Sequence, residues 1–324
     1  MRRSPKRTWV SLWRRLLTKC AIAAAVACVP LSLTAQVLVP GTGQKIAKVG
    51  DDFEDPEWSY VYNLPKSSEE NDERQRLPGG YSKNARWFEG AKRGQPDQVS
   101  RVPTPDGGLP GSEGAMLMRS KQTGVPGRYT GKFEQDDFIC NVTSKLGGGI
   151  PISRHPSVVV RVHIPPFEYW ERRNGPSFGF RTACQTHKTE TKRGKFGSVS
   201  RNVKQETYWP GFFIQFVPGD GAEKPDHAFF TVRAGSYGQD LRGPKITESG
   251  WWTLGMSFTR DGRVHYFARQ GVESLSAADH ISTQYPYSYN CERMDTLFFN
   301  VVSGNNGNWS TPWIVDDAEL FVAR

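Results

Sequence analysis

From about residue 115 onward, apolar and polar positions alternate along the chain with a period of two, and no stretch carries a sustained 3.6-residue period. The runs 115–120, 157–164, 177–185, 211–217, 228–234, 251–259, 263–270, 296–303 and 313–322 read as strands. Most are rich in Val, Phe, Tyr, Trp or Thr and are bounded by Gly, Pro, Asn or Asp. Arg260-Asp261-Gly262-Arg263 is an Asp-Gly turn between two of these runs and predicts a hairpin. So many strands with no intervening helices predict an all-β domain of two packed antiparallel sheets.

The first 35 residues have a different pattern. Arg2, Arg3, Lys6, Arg7, Arg14, Arg15 and Lys19 precede an uncharged, Ala/Val/Leu-rich stretch, 20–35, and no acid occurs among them. This is the layout of a cleavable signal segment, with cleavage expected after Ala35, and it predicts export to the periplasm, cell envelope or exterior. The apolar run is too short for a stable transmembrane anchor. Arg14-Arg15-Leu16-Leu17-Thr18-Lys19 resembles a twin-arginine export motif, and Ala25-Val26-Ala27-Cys28 loosely resembles a lipoprotein box. Residues 36–50 read as a tether, 51–324 as one β-sandwich domain, and the Gly- and Pro-rich stretch 67–114 as long N-terminal loops decorating it.

Removing the leader changes the charge picture. The full chain has 42 basic and 33 acidic residues, a formal +9. The leader takes seven basic residues and no acid, so 35 against 33 remain, or +2, which excludes a strong nucleic-acid reading. The remaining excess is local: 151–205 holds 11 Lys or Arg against Glu168, Glu171 and Glu190. The stretch 186–205 reads as a solvated loop or as a cationic rim for an acidic polymer. Cys140, Cys184 and Cys291 also remain, so an oxidising compartment permits one disulfide with one thiol left over, and the spacing does not choose the pair.

The domain opens with Asp51-Asp52-Phe53-Glu54-Asp55 and Trp58, and closes with Trp313-Ile314-Val315-Asp316-Asp317-Ala318-Glu319-Leu320. This bracket resembles the terminal strands of secreted jelly-roll domains, including the concanavalin A-like lectin/glucanase superfamily and several carbohydrate-binding modules. The middle is similar as well, through 158–165, Ser177-Phe178-Gly179-Phe180-Arg181 and Gly250-Trp251-Trp252-Thr253-Leu254. The resemblance implies a carbohydrate partner. It also implies that the first and last strands pair, which would gather Asp52, Glu54, Asp316 and Asp317 as candidate oxygen ligands for a structural calcium ion.

Alternation sorts each strand into two faces. Arg161 and His163 oppose Val160 and Val162; Arg181 opposes Phe178 and Phe180; Gln215 opposes Ile214 and Phe216; Arg233 opposes Val232; and Asn300 opposes Phe299 and Val301. If these strands share a sheet, Arg161, His163, Arg181, Gln215, Arg233 and Asn300 line one polar face. Fork-like Arg and amide side chains there suit carboxylates and sugar hydroxyls, and Trp209 and Tyr237 offer rings for stacking. The expected function is noncatalytic glycan binding, because no Glu-x-Asp-x-x-Glu glycosidase strand exists. One alternative is a polysaccharide lyase acting on a uronate glycan by β-elimination through His163, Gln215, Arg233 and Tyr237. Val232-Arg233-Ala234-Gly235-Ser236-Tyr237-Gly238-Gln239 resembles the Lys-Ala-Gly-x-Tyr-x-Gln signature of jelly-roll alginate lyases, but it precedes the Asp-Gly hairpin rather than following it. The other alternative is a structural or adhesive envelope protein, which predicts flat sheets with no groove. His155, His187, His227 and His280 read as surface residues, leaving His163 and His265 as the strand histidines.

Overall fold

A computed structural model describes residues 38–323 except 75, 194–198 and 222; the stretch 1–35, read as a leader with export motifs, lies outside the described residues. The runs of alternating residues form two antiparallel sheets packed face to face, an all-β jelly-roll sandwich. The back sheet runs His280–Gln284, Val264–Gln270, Gly250–Phe258, Ser157–Ile164, Trp313–Val322, Gly114–Arg119 and Gln98–Pro103. The front sheet runs Asp240–Ile246, His227–Arg233, Gly211–Val217, Gly175–Arg193, Arg293–Ser303 and Glu134–Asn141, then three short strands from the N-terminal loops. Among the described residues no helix is long and apolar enough to cross a membrane.

The core lies where the alternation puts its apolar face. Phe178, Phe180, Phe212, Ile214, Phe216, Phe299 and Val301 of the front sheet meet Val158, Val160, Val162, Leu254, Met256 and Val315 of the back sheet, all buried. Each such side chain contributes about 1.5–3 kcal/mol by leaving water. Trp87, from the decorating loops, stacks on Phe138 at 5.1 Å and on Phe299 at 5.3 Å, which ties those loops into the same core. The Asp-Gly hairpin forms as expected, pairing Phe258 with Val264. Gly262 takes φ +83°, a left-handed conformation that glycine adopts without the usual Cβ penalty.

Two expectations need correction. Residues 44–50, read within the tether, belong to the strand Gln44–Asp51 paired with Trp313–Val322, and Val39 just before it packs on Val159, Phe267 and Leu275. The sandwich therefore begins before residue 51. The strand escapes a sequence reading because it is polar and half exposed, and its ladder shifts register between Lys45 and Gly50. The solvated loop 186–205 is instead the outer part of a hairpin, Gly175–Arg193 against Val199–Tyr208, with ten paired positions. Both faces of that ribbon meet solvent over most of its length, so its strands lack an apolar alternation. Cys140, Cys184 and Cys291 are all buried and unbridged. Cys184 lies 3.7 Å from the Thr182 hydroxyl, Cys291 donates to the Arg293 carbonyl at 3.6 Å, and Cys140 accepts from the Gly50 amide at 3.3 Å.

Candidate functional site

The outer face of the front sheet carries a groove of about 600 Å³. Adjacent strands contribute alternate residues to it: Arg181 from Gly175–Arg193, Phe213 and Gln215 from Gly211–Val217, Arg233 from His227–Arg233, and Phe298 from Arg293–Ser303. The decorating loops add Glu70, Lys92 and Arg93, and Trp209 and Tyr287 complete the walls. Lys92 sits 5.7 Å from the Trp209 ring centre, and Arg93 is held in a two-pronged ion pair by Glu70.

Arg181 is the centre of this arrangement. It is 8% exposed, and its guanidinium lies between two aromatic rings, 5.1 Å from Phe213 and 5.4 Å from Phe298. One terminal nitrogen donates to the Trp209 carbonyl at 2.9 Å, and Nε has no partner. Among the described residues no carboxylate forms an ion pair with it. Burial and the nearby Arg233 pull its pKa down to about 10, so it remains cationic at neutral pH. The Asp137 carboxylate nearby favours its charge without bonding to it, so the guanidinium keeps donors that an anionic ligand can complete. Arg233, by contrast, has an acid partner: its Nε lies 2.8 Å from the Asp240 carboxylate in an ion pair without hydrogen-bond geometry, and Nη1 donates to the Gly238 carbonyl at 2.9 Å and the Tyr287 hydroxyl at 3.0 Å. Asp137 and Asp240, the other acids on the groove, have pKa values raised mainly by burial.

Of the six residues expected on one polar face, Arg181, Gln215 and Arg233 meet in the groove. Asn300 is on the same face of the sheet but fully buried, where its amide donates to its cross-strand neighbour Asp137 at 2.6 Å and positions that acid. Arg161 and His163 belong to the back sheet. There Arg161 pairs with Glu319 at 2.8 Å, and His163 stands edge-on to Trp251 at 5.3 Å, its pKa lowered by burial. Alternation fixes the face of a strand and not the sheet that holds it, which is why these two were misplaced. The quartet for β-elimination is likewise not assembled: Gln215 and Arg233 share the groove, His163 is on the other sheet, and Tyr237 is 85% exposed beyond Tyr287. His265 is bound between Thr259 at 2.9 Å and Thr283 at 2.8 Å, with its pKa lowered to about 4 by burial and His280, which marks it as structural.

The four acids read as calcium ligands do come near one another, since Gly50 pairs with Glu319 and Asp51 with Ala318. Burial and then the Asp317 charge raise Asp316 to about 7, and burial and then the Glu319 charge raise Asp317 to about 6. Yet Asp316 accepts from the Ser112 hydroxyl, and Glu54 accepts from the Glu113 amide. Among the described residues no three His, Cys, Asp or Glu side chains gather in a ligating group.

No protein-family model matches the chain, and no curated protein matches it. Solved structures overlap with it only loosely. An alginate lyase from Pseudomonas aeruginosa overlaps with a TM-score of 0.38 and 8% identity, covering 70% of this chain and 87% of that one. A GH131 β-glucanase catalytic domain from Podospora anserina gives 0.37 and 10%, over 76% and 83%. The exoplasmic/lumenal domain of VIP36 in its Ca2+/Man2-bound form gives 0.33 and 12%, over 69% and 88%. Likeness this loose concerns architecture and transfers neither residue roles nor activity to this chain.

Proposed function

We propose that this chain is an exported, noncatalytic glycan-binding protein whose front-sheet groove takes an acidic polysaccharide by a sugar carboxylate. The observation that carries this reading is Arg181, a buried guanidinium that opens on the groove, makes no ion pair with the acids lining it and leaves Nε unpartnered. A carboxylate accepts two parallel bonds from such a fork, and the flanking Phe213 and Phe298 hold the fork in plane. Gln215 is placed for sugar hydroxyls, and Lys92, Arg93 and Arg233 add positive potential that steers a polyanion toward the groove. The groove itself weighs against the structural or adhesive reading, which expects flat sheets.

One observation favours a second reading. The Tyr287 phenol accepts from Arg233 in the same groove as Arg181, which is chemistry suited to moving a proton beside a neutralised uronate. Incubating the mature protein with neutral and acidic polysaccharides, following retention, reducing ends and ultraviolet absorbance, separates these readings. Retention of acidic polymers without cleavage is the expected result. Rising absorbance from an unsaturated uronate would make the lyase reading primary, and silence in every channel would sink both.

A further inference from the structure

Beyond Tyr287 lies a second cavity of about 700 Å³, lined among others by His187, Tyr237, Tyr289 and Glu292. Tyr287 lines both cavities and is their common wall. That wall is built to stay in place. Tyr287 has φ +60°, a left-handed conformation that bulky residues hold only where their surroundings over-determine it. Its amide donates to the Gly235 carbonyl at 2.8 Å, and its hydroxyl accepts from Arg233 at 3.0 Å. The loop 235–239 closes on the ring so tightly that a Cβ at Gly238 would overlap it. The same loop presents Tyr237, whose side chain stands 85% exposed at the second cavity.

The two cavities differ in chemistry. The first gathers Lys92, Arg93, Arg181 and Arg233 against Glu70, Asp137 and Asp240, and of the four cations Arg181 is buried with no ion-paired acid. The second is walled by Tyr237, Tyr287 and Tyr289; its histidine is hydrogen-bonded to Glu292 at 2.6 Å, and its Lys188 lies over the Tyr289 ring at 5.9 Å. Tyrosine offers a rigid ring face and a polar tip, and it orders at low entropic cost on binding. Such a wall suits the apolar face of an uncharged sugar ring and gives a second carboxylate no free guanidinium.

We infer that the two cavities are successive subsites for one glycan chain, and that its repeating unit alternates a uronate, bound at Arg181, with an uncharged sugar lying on the Tyr237 and Tyr289 rings. This rests on the glycan-binding reading of the first groove. Titration calorimetry with hexasaccharides of alternating uronate and N-acetylhexosamine, and with homouronate hexasaccharides, tests it. The wild-type protein is expected to bind the alternating chain about tenfold more tightly. Tyr237→Ala should erase most of that preference, Tyr237→Phe should keep it, and neither should alter the weak binding of a free uronic acid followed by NMR. The exposure of Tyr237 makes loss of fold an inadequate explanation for any change. Equal wild-type affinity for both chains, or an alternating-chain affinity untouched by Tyr237→Ala, would overturn the inference while leaving the first groove intact. Failure of every uronate to bind would remove the glycan-binding reading and this inference together.

Discussion

The two sheets present outer faces that look alike in sequence and differ in structure. Each offers an arginine opposite a run of core residues, Arg161 on the back sheet and Arg181 on the front. The back face is roofed: Val39 packs on Val159 and Phe267, and Trp251 donates to the Pro105 carbonyl of a decorating loop. Its arginine has found Glu319 and has little left to offer a ligand. The front face is open between walls, and its arginine is held by aromatic rings and a carbonyl with no acid partner. Whether a buried cation is structural or recognitive thus depends on where its counter-charge comes from, and only the fold reveals that.

Exchanging the two arginines for alanine sharpens the contrast. Arg181→Ala should weaken binding of an acidic oligosaccharide by about 2–4 kcal/mol, on the order of 30- to 1,000-fold in Kd. Arg161→Ala should leave Kd within about twofold and lower stability in urea by about 1–2 kcal/mol, because Glu319 keeps Lys45 as a second partner at 2.7 Å.

A smaller effect should come from the strand that joins the termini. Asp317 has φ +43° and a folded pKa raised from 3.8 to about 6, mainly by burial and then by Glu319. Between those values the native state keeps a proton that the unfolded state has lost, so stability falls as pH rises from 3.8 to about 6 and this contribution is constant above. Asp317→Asn removes the charge and suits a left-handed residue. It should raise stability by about 1 kcal/mol at pH 8 and flatten that part of the pH profile, as read from urea midpoints. Least of all, raising salt from about 0.05 to about 0.5 M should weaken wild-type glycan binding several-fold, with little change in an Arg181→Ala protein that has already lost its main contact.

Much of the fold was legible because inward residues on these strands are apolar with a period of two. The strands Ser157–Ile164, Gly211–Val217 and Trp313–Val322 begin and end where the pattern does. Strands that lack an apolar face were not legible, as Gln44–Asp51 and Val199–Tyr208 show. The site was half legible. Arg181, Gln215 and Arg233 follow from alternation, whereas Lys92, Arg93 and Tyr287 reach the groove through loops whose long-range placement no local pattern carries. One signal was available and passed over: Phe212-Phe213 and Phe298-Phe299 break the alternation, and in each pair the outward ring is the one against Arg181.

Titration of the wild-type, Arg161→Ala and Arg181→Ala proteins with one acidic oligosaccharide tests the central claim most directly, with circular dichroism confirming that each is folded. The wild-type and Arg161→Ala proteins should bind alike, and Arg181→Ala should lose most of the affinity. A folded Arg181→Ala protein that binds as tightly as the wild type would contradict the assignment of the front groove as the carboxylate site.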